Sequence, residues 1–119
     1  MGDVVDAEVV IREFNGATVR PASELNIRIT VVGLRPGEHV ILEHDGEQGK
    51  IDVHYAQARL RPEGGYQLEY RSGSAAEHFQ TLTDSRDDVV AALAGWAKGD
   101  FSWRDKFEWK SIGEWFTRR

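Results

Sequence analysis

The fold is decided by residues 64–82, which read GGYQLEYRSGSAAEHFQTL. Apolar and polar side chains alternate from Tyr66 to Arg71, and a second alternating run extends from His78 to Leu82 after a break of small residues. Alternation with a period of two is typical of strands that bury one face. The stretch therefore predicts two paired antiparallel strands with an apolar face and a polar face.

The polar face of this strand pair carries Glu69 and Arg71, with His78 or Gln80 opposite them. One interpretation is a cross-strand charge network, in which each pair contributes about a few tenths of a kcal/mol. A second is a surface that binds a partner. A third is acid/base catalysis by Glu69 and His78, or by Glu43 and His54, which would need a desolvated cleft.

Two further strands precede this pair, at residues 40–44 and 50–56. The side chains of the second that should face inward are Ile51, Val53 and Tyr55. Residues 57–63 either prolong that strand or form a turn. Four sequential strands with short links predict an antiparallel meander.

The N-terminal region predicts a hairpin. Residues 4–14 are rich in β-branched side chains, and Asn15-Gly16 follows as a strong turn signal because both residues tolerate positive φ. Residues 17–20 should then return antiparallel.

Residues 22–32 fit either a helix or a strand. The helical interpretation places on one face Ala22, Leu25, Ile29 and Val32. The alternation and β-branched content of residues 25–31 favour a strand instead. We predict a helix, because the preceding Pro21-Ala22-Ser23-Glu24 is a poor entry to a strand.

Beyond the central strand pair the hydrophobic period changes to about 3.6 residues, which predicts a helix from Ser85 to Lys98. Ser85 is a suitable N-cap, and Gly99 is a suitable residue just past the C-terminus. The apolar stripe of this helix consists of Val89, Leu93, Trp96 and Ala97. It should pack on the sheet and bury Tyr66, Leu68, Phe79 and Leu82.

Aromatic side chains are concentrated in residues 101–119. Trp103 and Phe107 are spaced for one face of a short helix, and residues 109–112 are expected to be extended. These rings should close one end of the core. Alternatively, Trp115 and Phe116 could anchor a partner or a second copy in a homodimer.

These elements predict a single α+β domain spanning residues 1–119. An antiparallel β-meander sheet is packed on one face by the C-terminal helix, and an N-terminal hairpin and a short helix precede the meander. There are no internal repeats.

The chain has 15 Lys and Arg against 20 Asp and Glu, a net charge of −5. An acidic surface repels phosphate groups, which disfavours nucleic-acid binding and favours a basic protein partner. Cysteine is absent, which excludes a disulfide framework and fits a reducing compartment. No apolar run approaches the ~18 residues of a membrane span, and the acidic N-terminus is unlike a signal peptide. We predict a cytoplasmic protein without membrane contact.

No sequence motif for a reaction is present. The four histidines, His39, His44, His54 and His78, lack the spacings of zinc sites. Neither a nucleotide-binding glycine motif nor a seryl nucleophile motif occurs. The sequence therefore predicts no catalytic residue, no metal site and no cofactor, which indicates that the protein is not an enzyme.

Three segments carry a resemblance to known proteins: the strand pair from Gly64 to Phe79, DDVVAALAGWAKGD at residues 87–100, and WRDKFEW at residues 103–109. Over residues 39–112 the chain resembles small single-domain actinobacterial proteins of unknown function. Some of these look like immunity proteins of polymorphic toxin systems. The resemblance implies an inhibitory binding domain and supplies no catalytic residue.

The predicted function is a non-enzymatic protein-binding module, an immunity protein that occludes a cognate basic toxin domain. The predicted partner-binding residues are Glu43, Asp45, Glu47, His54, Glu69, Arg71 and His78. The alternative is a ligand-binding or enzymatic α+β domain with a pocket between sheet and helix. That pocket would be lined by Tyr55, Tyr70 and His78.

Overall fold

The computed structural model describes residues 8–45, 54–74 and 76–112. Its strands are β1 (Val9–Arg12), β2 (Thr18–Val19), β3 (His39–His44), β4 (His54–Leu60), β5 (Tyr66–Ser72), β6 (His78–Thr83) and β7 (Lys110–Ser111). Its helices are α1 (Glu24–Val32), α2 (Arg86–Lys98) and a 3₁₀ helix (Ser102–Lys106). The seven strands form one sheet in the order β2-β1-β3-β4-β5-β6-β7. Neighbouring strands are antiparallel, so the predicted α+β fold with a meander from β3 to β6 is confirmed.

Both helices cover the same face of the sheet. One buried cluster contains side chains from both helices and from the sheet, among them Ile27, Val31, Leu42, Leu68 and Leu93. We call the opposite face, on which Glu69, Arg71 and His78 lie, the open face. No helix in the described part of the chain can span a membrane, because none combines the necessary length and apolar character.

The predicted N-terminal hairpin is present. Arg12 pairs with Thr18, and the turn between them contains Asn15 and Gly16. Gly16 has a φ of 91°, a left-handed conformation that glycine adopts without steric cost. The Asn15 side chain accepts a hydrogen bond from the Ala17 amide at 2.9 Å, which further fixes the turn.

Helix α1 confirms the helical interpretation of residues 22–32, and its buried face is not the one that carries Leu25, Ile29 and Val32. Ser23 caps the helix by accepting a hydrogen bond from the Asn26 amide at 3.1 Å. The buried side chains are Ile27 and Val31. The side chains of Leu25, Ile29 and Val32 are 66%, 61% and 50% exposed. Both faces of α1 are aliphatic, so periodicity alone cannot tell which face packs on the core.

Helix α2 agrees with the sequence prediction. The Ser85 hydroxyl caps it by accepting a hydrogen bond from the Asp88 amide at 3.1 Å, and Gly99 ends it with a φ of 79°. Its buried side chains are Val89, Val90, Ala92, Leu93, Ala94 and Trp96.

Two side chains expected to face the helices lie on the open face. Leu82 is 50% exposed, because it shares its side of β6 with His78 and Gln80. Tyr55 contacts His78 on the open face, whereas its neighbours Ala56 and Ala58 are buried against the helices. β4 runs from His54 to Leu60, so residues 57–60 prolong the predicted strand, and the predicted inward residues Ile51 and Val53 lie outside the described residues.

The C-terminal aromatic residues pack at one end of the core, as predicted. Trp103 is buried and meets Tyr70 edge to face at a ring-centroid distance of 5.4 Å. Phe107 and Trp109 pack against the same cluster. The proposed anchors Trp115 and Phe116 lie outside the described residues.

Candidate functional site

Strands β4, β5 and β6 bring a row of polar side chains together on the open face. Arg71 lies directly opposite Tyr55 on one side and His78 on the other. Glu69 is paired with Gln80 in the next row of the same face. The short hairpin between β5 and β6 fixes this register, which resolves the open pairing of the sequence analysis: His78 lies opposite Arg71, and Gln80 lies opposite Glu69.

His78 is at the centre of this group and is fully buried. Arg71 Nε lies 3.0 Å from His78 Nδ1, and His78 Nε2 lies 2.8 Å from Glu69 Oε1. An arginine nitrogen can only donate, so Nδ1 must accept and the proton must sit on Nε2. The neutral His78 ring therefore donates to Glu69 and links a cation to a carboxylate.

Glu69 is held as a carboxylate by its hydrogen bonds. Burial favours the neutral acid, but hydrogen bonds from His78 and Gln67 and the positive charge of Arg59 outweigh it and lower the pKa of Glu69 below its ordinary value. The carboxylate oxygens accept from His78 and Gln67, one on each side. Glu69 is consequently fixed in place.

Tyr55 closes the group on the β4 side. Its hydroxyl lies 3.4 Å from His78 Nδ1, and the Arg71 guanidinium carbon lies 5.6 Å from the centre of its ring. Burial raises the pKa of Tyr55, with the charge of Glu69 acting in the same direction and that of Arg71 against it. The phenol therefore keeps its proton at neutral pH. We call Tyr55, Glu69, Arg71 and His78 the polar network.

The network orders the sheet rather than presenting a free base. Both ring nitrogens of His78 hold neighbouring side chains, and the Glu69 carboxylate is already bound on both oxygens. A general base needs an available lone pair directed at a substrate proton. The lone pair of His78 is on Nδ1 and becomes available only after its hydrogen bond with Arg71 breaks.

The remaining predicted site residues do not join this network. Glu43 lies on the open face, 3.6 Å from Arg12, and its Oε2 atom is buried without a hydrogen bond. Asp45 forms an ion pair of 2.8 Å with Arg20 near the other end of the sheet. Glu47 lies outside the described residues.

His54 was assigned to the wrong face. It precedes Tyr55 in β4, and successive residues of a strand point to opposite faces. His54 is exposed, with its ring next to Gly73 across the strand pair. The predicted partner-binding residues thus do not form one surface, and three of them, Glu69, Arg71 and His78, come together.

The predicted ligand pocket between sheet and helix is also inconsistent with the geometry. Tyr70 lies on the helix-covered face, where its ring stacks on Phe79 at a centroid distance of 5.1 Å. Tyr55 and His78 lie on the open face. The sheet itself separates Tyr70 from the other two side chains, so these three residues cannot line one pocket.

The accessible part of the open face contains residues that sequence reasoning did not select. Arg59, Gln67 and Leu82 lie in one row across β4, β5 and β6. Gln80 and the exposed Lys110 lie beside this row. Strand alternation could have placed these residues on one face. Their residue types are common on sheet surfaces and do not by themselves indicate a site. We call these five residues the accessible patch.

Within the described residues, no group of three or more His, Cys, Asp or Glu side chains is arranged to hold a metal ion. No protein-family model, curated protein or solved structure matches the chain.

Proposed function

We propose that this protein is a non-enzymatic binding domain that neutralises a partner protein, and that the accessible patch is its contact surface. The observation that carries the proposal is the position of Leu82. It is half exposed near the end of β6, with the polar side chains of Gln67 and Gln80 beside it on the same face. An aliphatic anchor surrounded by polar side chains is typical of the centre of a protein interface.

The polar network supports this patch from the side. The Glu69 carboxylate accepts a hydrogen bond from the side-chain amide of Gln67, which is a member of the patch. This bond fixes the orientation of the Gln67 amide. Side chains that are already ordered lose little conformational entropy when a partner binds. The patch is therefore prepared for binding before the partner arrives.

The charges of the patch indicate what the partner should offer. Arg59 and Lys110 are basic, whereas the nearby carboxylate of Glu69 is internal and bound to His78 and Gln67. We expect acidic or hydrogen-bond-accepting side chains on the partner at this contact. This differs from the basic partner that the net charge of the whole chain suggests, and the exposed Glu108, which lines a depression together with Leu82, would favour a cation of the partner at that point.

The resemblance to immunity proteins suggests a candidate for the partner, the product of the neighbouring reading frame. That product would be expressed alone and with this protein in a bacterial host, and growth would be recorded. Growth arrest by the first and relief by the second would support neutralisation. Growth arrest that this protein does not relieve would contradict it.

The contact surface is tested separately by calorimetry with the purified partner. Leu82→Asp and Arg59→Glu should each weaken binding about 10-fold or more, the loss of one anchor or one complementary charge. Lys98→Glu is the matched control, because Lys98 is an exposed cation in the last turn of α2 on the other side of the sheet. Equal affinity for all three variants would remove the accessible patch from the proposal.

A further inference from the structure

A cation beyond the end of α2 is held by aromatic rings. The guanidinium carbon of Arg104 lies 4.4 Å from the centre of the Phe101 ring. It lies 5.4 Å from the centre of the Tyr70 ring and 5.9 Å from that of the Trp103 ring. Rings at these distances attract a cation through their electron-rich faces. Tyr70 belongs to the helix-covered face, so this group is separate from the accessible patch, which lies on the open face.

The 3₁₀ helix brings Arg104 over Phe101. Residues three apart eclipse each other in a 3₁₀ turn, and the Arg104 amide donates a hydrogen bond of 3.1 Å to the Phe101 carbonyl. The Trp109 indole donates a hydrogen bond of 2.8 Å to the Arg104 carbonyl. The buried Trp103 anchors the same turn in the core. The backbone from which the Arg104 side chain extends is therefore fixed.

The hydrogen-bond donors of the Arg104 side chain are not used inside the protein. Within the described part of the chain, the hydrogen bonds of Arg104 are made by its backbone, and its guanidinium forms no ion pair. Its nitrogens are not among the buried unpartnered atoms of the described residues, so they reach solvent although the residue is half-buried. Stacking occupies the face of a guanidinium, whereas its N–H groups lie in its plane and stay available.

We propose that Arg104 and Phe101 form a binding site for a carboxylate that is attached to an apolar group. The planar donor fork of an arginine matches the two oxygens of a carboxylate, which it binds with two parallel hydrogen bonds. Phe101 is 42% exposed although Arg104 lies over its ring, so part of the ring remains free for the apolar group. Because the rings already hold the guanidinium, a ligand orders it at little cost in conformational entropy.

The local charge favours a monoanion over a phosphate. Residues 100–106 carry two acidic side chains, Asp100 and Asp105, and two basic side chains, Arg104 and Lys106. The segment thus has no net charge, on a chain whose net charge is −5. A dianionic phosphate meets no excess of positive charge there, whereas a carboxylate needs only the single charge of Arg104.

Benzoate is a suitable probe, because it joins a carboxylate directly to a ring, and benzamide is its uncharged counterpart of the same shape. Both would be titrated into the isotope-labelled full chain, and the Arg104 Nε–Hε signal would be followed by nuclear magnetic resonance. Benzoate should shift this signal to saturation in the millimolar range, as expected for so small a ligand. Benzamide, which lacks the charge, and acetate, which lacks the ring, should each bind at least about 5-fold more weakly.

Substitutions separate the donor fork from its charge. Arg104→Lys keeps the charge and loses the planar fork, so it should weaken benzoate binding about 5-fold or more, measured on the backbone amide signals of residues 101–106. Arg35→Lys is the matched control and should leave the affinity unchanged, since Arg35 is exposed and lies over no ring within the described residues. Phe101→Ala should weaken binding about 3-fold, whereas Phe14→Ala, at another exposed phenylalanine, should not.

A second probe, an acetylated Phe-Glu dipeptide amide, distinguishes two sources of the carboxylate. It presents a ring and a carboxylate from a polypeptide. Tighter binding of the dipeptide than of benzoate would assign the site to an acidic residue of a protein. Tighter binding of benzoate would assign it to a free small acid.

The proposal is overturned if benzoate and benzamide bind equally, or if the benzoate shifts grow linearly without saturation. It is also overturned if Arg104→Lys, shown to be folded by circular dichroism, binds benzoate as well as the natural chain does. If that variant fails to fold, the comparison of benzoate with benzamide on the natural chain decides.

Discussion

His78 Nε2 donates a hydrogen bond of 2.8 Å to Glu69 Oε1 across adjacent strands, with the imidazole fully buried. The donor direction follows from Arg71, which occupies the other ring nitrogen. A buried carboxylate is tolerated because its oxygens accept hydrogen bonds from His78 and Gln67. The bond therefore makes the stability of the sheet depend on pH.

Glu69→Gln should lower the free energy of unfolding at pH 7 by about 1–3 kcal/mol. The substitution replaces one acceptor oxygen by an NH₂ donor, so one of the donors that now bond Glu69, from His78 or Gln67, loses its acceptor. The folded pKa of Glu69 lies below its ordinary value of 4.5, so the stabilisation by its carboxylate is present above that value. It is lost as the pH falls through the folded pKa. Urea unfolding from pH 7 to pH 3 should show the difference between variant and natural chain shrinking. Glu77→Gln, at an exposed position of the same hairpin, should show no such trend.

His78→Ala should destabilise the protein by about 2–4 kcal/mol, because it leaves a cavity and removes a donor from buried Glu69. His54→Ala should change stability by less than about 0.5 kcal/mol, since His54 is exposed on the other face. Chemical denaturation of both variants measures the difference. Equal losses would contradict the assignment of the two histidines to different faces.

Leu68→Ala and Leu82→Ala make the same chemical change on opposite faces of the sheet. Leu68 is fully buried, so its truncation should cost about 2–5 kcal/mol. Leu82 is half exposed, so its truncation should lower the free energy of unfolding by about 1 kcal/mol or less. Thermal unfolding of the pair tests the face assignment of β6, and a larger loss for Leu82→Ala would show it to be wrong.

Gly95→Ala should destabilise α2 although alanine favours helices. A Cβ atom at position 95 would lie 2.5 Å from Trp103 Cδ1 and 2.8 Å from the carbonyl oxygen of Asp100. Relief of such overlaps costs about 1–3 kcal/mol, more than the gain of about 0.5–1 kcal/mol in helix propensity.

The control for this variant is Gly33→Ala at the end of α1. Gly33 has a φ of −79°, and the nearest atom to an added Cβ would be at 3.4 Å. We expect its stability to stay within about 0.5 kcal/mol of the natural chain or to rise slightly. If both alanine variants unfolded at the same temperature as the natural chain, the packing of Trp103 against α2 would not require a glycine at position 95.

Local signals were sufficient for most of the fold. Asn15-Gly16 predicted the first turn, Ser85 and Gly99 predicted the limits of α2, and the alternation in β5 predicted its buried face. Each of these signals acts within a few residues. They could therefore be interpreted without knowledge of the tertiary structure.

The choice of face in α1 and β4 could not be made locally. In α1 both faces are aliphatic, and the core selects Ile27 over Ile29 through packing with other elements. In β4 the small Ala56 and Ala58 face inward, where α2 lies against the strand, and the larger Tyr55 faces out. Small residues permit close approach of a helix, so size complementarity overrides hydrophobicity here.

The candidate site was predictable only in part. The two paired strands were predicted, and their register brings Arg71 and His78 together, whereas the sequence left His78 and Gln80 as alternatives. The burial of His78 and its tautomer also depend on Glu69, which lies in the next row of β5, and on Tyr55, which lies in β4. No sequence pattern specifies such a combination.

The sheet ends on both sides in a strand of two residues, β2 at one edge and β7 at the other. Such short edges offer a foreign strand too little backbone for a continuous ladder of hydrogen bonds. Uncontrolled polymerisation by strand addition is thereby discouraged within the described sheet. The apolar side chains that are exposed, Leu82 and those on the outer side of α1, thus lie away from a long unpaired strand edge.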